Sequence, residues 1–168
     1  MSVRVIVSVV APGWGEALPG AQTIATKAAR AALRERGPGV GAAQAELGVV
    51  LADDETLRGL NRDYRGQDKT TNVLAFAQGG APSHLPPGVH PLGDVVIGLG
   101  VAAREAAEQN KPLADHLTHL VVHGVLHLCG DDHVAAPAAA DMEARERRIL
   151  AGLGVGDPYE ALDAAPAA

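Results

Sequence analysis

Aromatic side chains are nearly missing from this chain: Phe, Trp and Tyr together make up 2% of its 168 residues. A core must therefore be filled by Val, Leu, Ile and Ala, which the 47% hydrophobic content allows. The shortage also leaves few flat rings for bases to stack on, which argues against strong sequence readout of a nucleic acid. Cysteine is limited to Cys129, so no internal disulfide framework exists and a reducing compartment is expected. Surplus positive charge is absent as well. The formal net charge is −6, so any polyanion would have to be met by a local basic patch. Long apolar runs are missing too. The N-terminal run VRVIVSVVA has an Arg inside it and no basic region before it. It is too short for a membrane span and poor as a signal peptide. It reads as a first β-strand, and the chain reads as soluble and cytoplasmic with no membrane partner.

What is present alternates between strand-like and helix-like segments. VRVIVSVV is β-branched and reads as a strand, and GWGEALPG as punctuation. Residues 21–36 read as a helix carrying Ile24, Ala28, Ala31 and Ala32 at helical spacing, stopped at Gly37-Pro38. A second strand is expected over 45–53, a helix over 54–66 with Leu57 and Leu60 inward, and a third strand over 70–77. The Gly- and Pro-rich stretch 78–93 reads as a loop. A fourth strand at 94–99 and helices at 100–110, 112–129 and 139–154 follow. The expected fold is α+β (α/β), a mixed four-stranded β-sheet covered by about five helices. It forms one domain over 1–160, with 161–168 a disordered tail.

HGVLHLCGDDH, residues 123–133, holds three of the seven histidines. His123 and His127 are four apart on a helix and so share a face one turn apart. Two imidazoles placed this way can grip one metal ion, and Zn²⁺ accepts histidine nitrogen readily. A third ligand requires the chain to leave the helix and come back. Gly130 supplies the break, because glycine takes the left-handed conformation that ends helices, and His133 then arrives from the following loop. The spacing matches the H-E-x-x-H-x-x-G-x-x-H pattern of one zinc protease class, giving a zincin-like metal helix with a metal cleft beside the sheet. Position 124, however, is Gly where those enzymes carry their general-base Glu. Three ligands leave a coordination position for water, the mark of a catalytic site. His₃ sites also accept nickel, cobalt or iron. His116 and His119 lie near the same helix face, either as hydrogen-bonded histidines or as supports for the ligands. Cys129 reads as a core thiol. Asp132 is placed either to orient an imidazole or to cap the turn.

Several stretches resemble the YbeY family, the bacterial rRNA maturation endoribonucleases. LNRDYRGQDKTTNVLAF (60–76), LGDVVIG (92–98), HLTHLVVHGVLHLCGDDH (116–133) and DMEARERRIL…GDPY (141–159) are similar to its blocks, over about residues 46–160. Asp131 replaces the signature's Tyr, Ala75 a Ser and Thr70 a Pro, and none of these is a metal ligand. The resemblance implies a zinc-dependent, single-strand-specific endoribonuclease. Such an enzyme acts in small-subunit (16S) rRNA 3′-end maturation and ribosome quality control. One Zn²⁺ per chain is implied, with His123, His127 and His133 as ligands and Arg65 important for activity. The implied partners are single-stranded RNA or rRNA, the small ribosomal subunit and a ribosome-assembly GTPase.

The residues are chemically suited to that implication. Arg65 can fork onto phosphate oxygens, or be held in a structural salt bridge. Arg58, Arg62 and Lys69 make 58–69 a local basic patch or a solvated helix face. Thr70, Thr71 and Asn72 offer donors or strand caps. Tyr64 and Phe76 are the plausible stacking rings, although such rings are more often core. Two other readings remain: a metal-dependent hydrolase of peptides or small molecules, and a non-catalytic ribosome-assembly factor with a structural metal.

Overall fold

The computed structural model describes residues 2–37, 44–77, 89–131 and 138–159. In chain order they form β1 (Ser2–Val9), α1 (Gly13–Ala17), α2 (Ala21–Arg36), β2 (Gln44–Ala52) and α3 (Asp54–Arg65). Then come β3 (Val73–Ala77), β4 (Val89–Gly98), α4 (Leu99–Glu108), α5 (Leu113–Leu128) and α6 (Ala138–Gly152). The sheet order is β1-β2-β4-β3; β1, β2 and β4 are parallel and β3 is antiparallel to β4. This is the mixed four-stranded sheet and α+β class expected from the sequence, with six helices among the described residues in place of about five.

Parallel pairing of β1 with β2 needs a crossover, and α2 supplies it. The small buried side chains Ala21, Ala25, Ala28, Ala29 and Ala32 let α2 lie close against α5. Along β2 the residues Ala45, Leu47, Val49 and Leu51 are buried while those between them are not, so one sheet face carries the main core. The segment expected as punctuation is the extra helix, α1. It delivers Trp14, fully buried, whose indole N–H donates to the Ala52 carbonyl at 2.8 Å.

The second departure from expectation is β4, which starts at Val89 inside the stretch read as loop. The register of β2 against β4 slips between Glu46 and Leu47, so Leu92 is an extra residue and Gly93 takes φ +130°. Pro91 pairs with Glu46 of β2 just before that slip. Turn-like composition here marks a bulge within a strand.

Position 124 has a packing reason for being glycine. A Cβ there would meet Val95 Cγ1 on β4 at 2.6 Å. Helix α5 thus lies directly on the sheet between the two histidines, and no side chain fits. Gly124→Ala is expected to cost about 1–3 kcal/mol through overpacking, read as a lowered melting temperature. Gly152→Ala, in open space at the end of α6, is the control and should be neutral or slightly stabilising.

Candidate functional site

Helix α5 ends as its sequence requires. Gly130 adopts φ +103°, its N–H bonds the His127 carbonyl, and the Asp131 N–H bonds the Leu126 carbonyl at 3.0 Å. That pair of bonds is a Schellman motif. Asp131 is then fastened from two sides, by Arg36 Nε of α2 at 2.9 Å and Arg145 Nη1 of α6 at 2.7 Å. The chain therefore leaves the helix from a pinned point. Asp132 and His133 lie outside the described residues.

Four histidines line one face of α5. Ring centroids of His116, His119, His123 and His127 follow one another at 6.2, 6.2 and 5.0 Å. Each of the first three is tied to a carboxylate. His116 Nε2 meets Glu105 Oε1 of α4 at 2.9 Å, and the same oxygen accepts from Asn72 Nδ2 at 2.9 Å. Burial pushes the His116 pKa down, against the upward pull of Glu105. His119 Nε2 meets Glu146 Oε2 at 2.8 Å and His123 Nδ1 meets Glu146 Oε1 at 2.9 Å. The Tyr159 hydroxyl donates to Glu146 Oε2 at 2.8 Å.

Glu146, from α6, is fully buried. Burial alone would raise its pKa, but the hydrogen bonds from His119 and His123 outweigh it and hold the carboxyl at about 2. Burial, followed by the Glu146 charge, drives the Tyr159 phenol well above its ordinary value. Donor atoms of His119, His123 and Glu146 all lie within 4.8 Å of one another, a group that could hold a metal ion. Cys129 is buried, and burial lifts its thiol to about 11, which suits a core thiol and not a nucleophile.

Sequence reasoning did not single out Glu146 or Tyr159. The signal for Glu146 was its position: Met142, Glu146, Ile149 and Leu150 form the buried stripe of α6, and a carboxylate in such a stripe must be paired. Tyr159 is brought to Glu146 after α6 ends, and no local pattern reveals that contact.

The second group sits at the end of α3. Asp53 caps the helix start through the Thr56 N–H at 2.8 Å, and Gly66, at φ +67°, ends it. Arg65 occupies the last turn. Its Nη2 donates to the Ala75 carbonyl at 3.2 Å, and its guanidinium lies 5.8 Å from the Phe76 ring centroid. Because the contact is to backbone, Ala75 in place of Ser leaves it intact. Among the described residues Arg65 has no carboxylate partner, whereas Arg58 is paired with Asp68 and Arg62 with Asp63. The basic patch is thus partly neutralised. Thr70 Oγ1 donates to the Asp54 carbonyl and Asn72 is bound to Glu105, so both are used in packing.

The two groups are linked through the sheet. Ala75 pairs with Val95, and Val95 is the residue pressed against Gly124 between His123 and His127.

Similarity to known proteins accords with this arrangement. The family model described as Endoribonuclease YbeY matches residues 19–154. Curated proteins named Endoribonuclease YbeY include one from Paramagnetospirillum magneticum, 46% identical over 95% of this chain and 97% of its own. One from Azorhizobium caulinodans is 50% identical over 88% and 90%. The solution structure of a Thermotoga maritima protein superposes with a TM-score of 0.51 over 99% of both chains at 19% identity, which speaks to the fold. With the match running through the histidine helix and the arginine turn alike, the chain belongs to the YbeY endoribonuclease family.

Proposed function

We propose that the protein is a zinc-dependent endoribonuclease that cuts single-stranded RNA in the cytoplasm. Its task would be 3′-end maturation of small-subunit (16S) rRNA and ribosome quality control. The small ribosomal subunit and a ribosome-assembly GTPase are its partners in this reading. The observation that carries it is the buried Glu146 bonded to His123 Nδ1. A metal-bound histidine generally gives its other ring nitrogen to a carboxylate or carbonyl, which fixes tautomer and direction. With Nδ1 held by Glu146, His123 would ligate through Nε2. His127 on the next turn and His133 beyond the Gly130 reversal complete the ligand set for one zinc ion per chain. Glu146 then stands behind the ligands, since its oxygens already accept from His119, His123 and Tyr159.

His119 fits a ligand role less well. With Nε2 on Glu146 its remaining nitrogen is Nδ1, which is buried, whereas a catalytic metal keeps a position open to water. Zinc bound at the site would polarise a phosphoryl oxygen and lower the pKa of a coordinated water. Arg65 is the chain's own source of charge for the substrate. Held by the Ala75 carbonyl and the Phe76 face, its planar fork can meet two phosphate oxygens. Position 124 has no room for a helix Glu as general base, which disfavours peptide hydrolysis by that route.

The test combines elemental analysis with cleavage of single-stranded RNA and of ribosomes, with and without chelator. One zinc per chain and chelator-sensitive cleavage are expected. Arg65→Ala should slow cleavage by roughly 10²–10³-fold while the melting curve stays in place. Metal-loaded protein that leaves both substrates uncut would overturn the proposal. Parallel casein and ester assays would reveal another substrate class.

A further inference from the structure

We propose that Tyr64, edge-on to Phe76 and next to Arg65, is a platform on which one unpaired base of the RNA stacks while Arg65 holds an adjoining phosphate. This rests on the endoribonuclease reading above and names how the strand is held. The chain has one Phe, one Trp and two Tyr. Trp14 is fully buried with its N–H on Ala52, and Tyr159 is bonded to Glu146. The two remaining rings are together, their centroids 5.5 Å apart at 61°. Phe76 is half-buried and anchors the pair, whereas Tyr64 is 72% exposed. A ring so open contributes little to the core, yet its position is fixed by the ring beneath it.

Charge points to the same ligand. Arg58 and Arg62, on the same helix, are satisfied by Asp68 and Asp63. Arg65 adjoins Tyr64 and, among the described residues, meets no carboxylate. An exposed π-face beside an uncompensated guanidinium matches a base and its phosphate. Only a single strand offers both, because a duplex keeps its base faces stacked inside. Stacking accepts any base. Of the nearby groups that could read base edges, Asn61 is engaged on the Lys69 carbonyl, Asn72 on Glu105 and Thr70 on Asp54. The stacking itself selects for strandedness and not for sequence.

The experiment uses the metal-loaded full chain, a single-stranded oligoribonucleotide containing 2-aminopurine, and the variants Tyr64→Phe and Tyr64→Leu. Leucine keeps an apolar cover on Phe76 but has no π-face. Wild type and Tyr64→Phe should quench the base fluorescence on binding. Tyr64→Leu should quench weakly and bind about tenfold less tightly, with the loss falling on KM and not on kcat and with an unshifted melting curve. Tyr64→Leu that binds, quenches and cuts like wild type would overturn the platform and leave the endoribonuclease reading standing. A Tyr64→Phe variant as weak as Tyr64→Leu would also overturn it, by assigning the effect to the hydroxyl. Wild-type protein that neither binds nor cuts the strand would bring down both.

Discussion

Replacing Glu146 by Ala is expected to cost on the order of 3–5 kcal/mol of stability and to weaken metal binding by roughly 10- to 100-fold. The carboxylate is fully buried and receives hydrogen bonds from His119, His123 and Tyr159. Its removal strands three polar groups and loosens the ring of His123. Glu146→Gln keeps the shape but exchanges one acceptor oxygen for a donor, so it should fall between wild type and Ala. Acid dependence supplies an independent check. The carboxyl sits at about 2 in the folded protein, against an ordinary 4.5. As the medium is acidified the unfolded chain takes up this proton first. The stabilisation is complete above about 4.5 and drains away as pH falls through about 2. Melting curves taken from neutral pH into the acid range should show Glu146→Ala losing less on acidification than wild type. Equal losses would mean that the buried carboxylate is not the group responsible.

That hub was the part of the site least visible in the sequence, and the reason is the range of the contacts. His123 and His127 share a helix, so their spacing alone places them on one face, and Gly130 declares the break that follows. The Schellman motif bears that reading out. Glu146 comes from another helix 23 residues from His123. In isolation it is one acid among several in DMEARERRIL, and only its register with Met142, Ile149 and Leu150 marks it as buried. Charge counting erred in the opposite direction. Residues 58–69 look basic when cations alone are listed by position, but Asp63 and Asp68 lie close enough to neutralise two of them. Arg65 is distinguished by meeting no carboxylate among the described residues, and that is a tertiary fact.

The strands show the same division between local and distant causes. The apolar segment 45–53 made β2 legible, and the structure buries its alternate residues, whereas β4 was cut short because Pro91 and Gly93 carry turn chemistry. Their conformations are set by neighbours. Gly93 is required because a Cβ would strike the Phe76 carbonyl, and Pro91 pairs with Glu46 of β2 just before the register slips. Gly124 is the complementary case. Its identity was the feature separating this chain from the zinc protease pattern, and Val95 is the physical cause. Sheet packing and the chemistry available to the helix are therefore one constraint: the contact that seats α5 on β4 removes the position from which a glutamate would act.

His127→Ala is expected to abolish stoichiometric metal binding and to reduce RNA cleavage by roughly 10³-fold, the scale of several kcal/mol of transition-state stabilisation. Its value lies in comparison with His119→Ala and His123→Ala. Two candidate sets of donors overlap at His123 of α5. If the metal is held by His123, His127 and His133, losing His123 or His127 should empty the site, while His119→Ala should spare metal content and lower stability by about 1 kcal/mol for the lost hydrogen bond. If it is held by His119, His123 and Glu146, whose donor atoms lie within 4.8 Å of one another, His119→Ala should empty the site and His127→Ala should not. Glu146 supports both rings, His123 through Nδ1 and His119 through Nε2. The burial of Nδ1, the nitrogen His119 has left, favours the first pattern, because a catalytic metal keeps a position open to water. Metal content per chain, measured on the three purified variants beside their melting temperatures, separates the two arrangements. A His127→Ala protein that keeps a stoichiometric metal and still cuts RNA would move the metal one turn back along the helix.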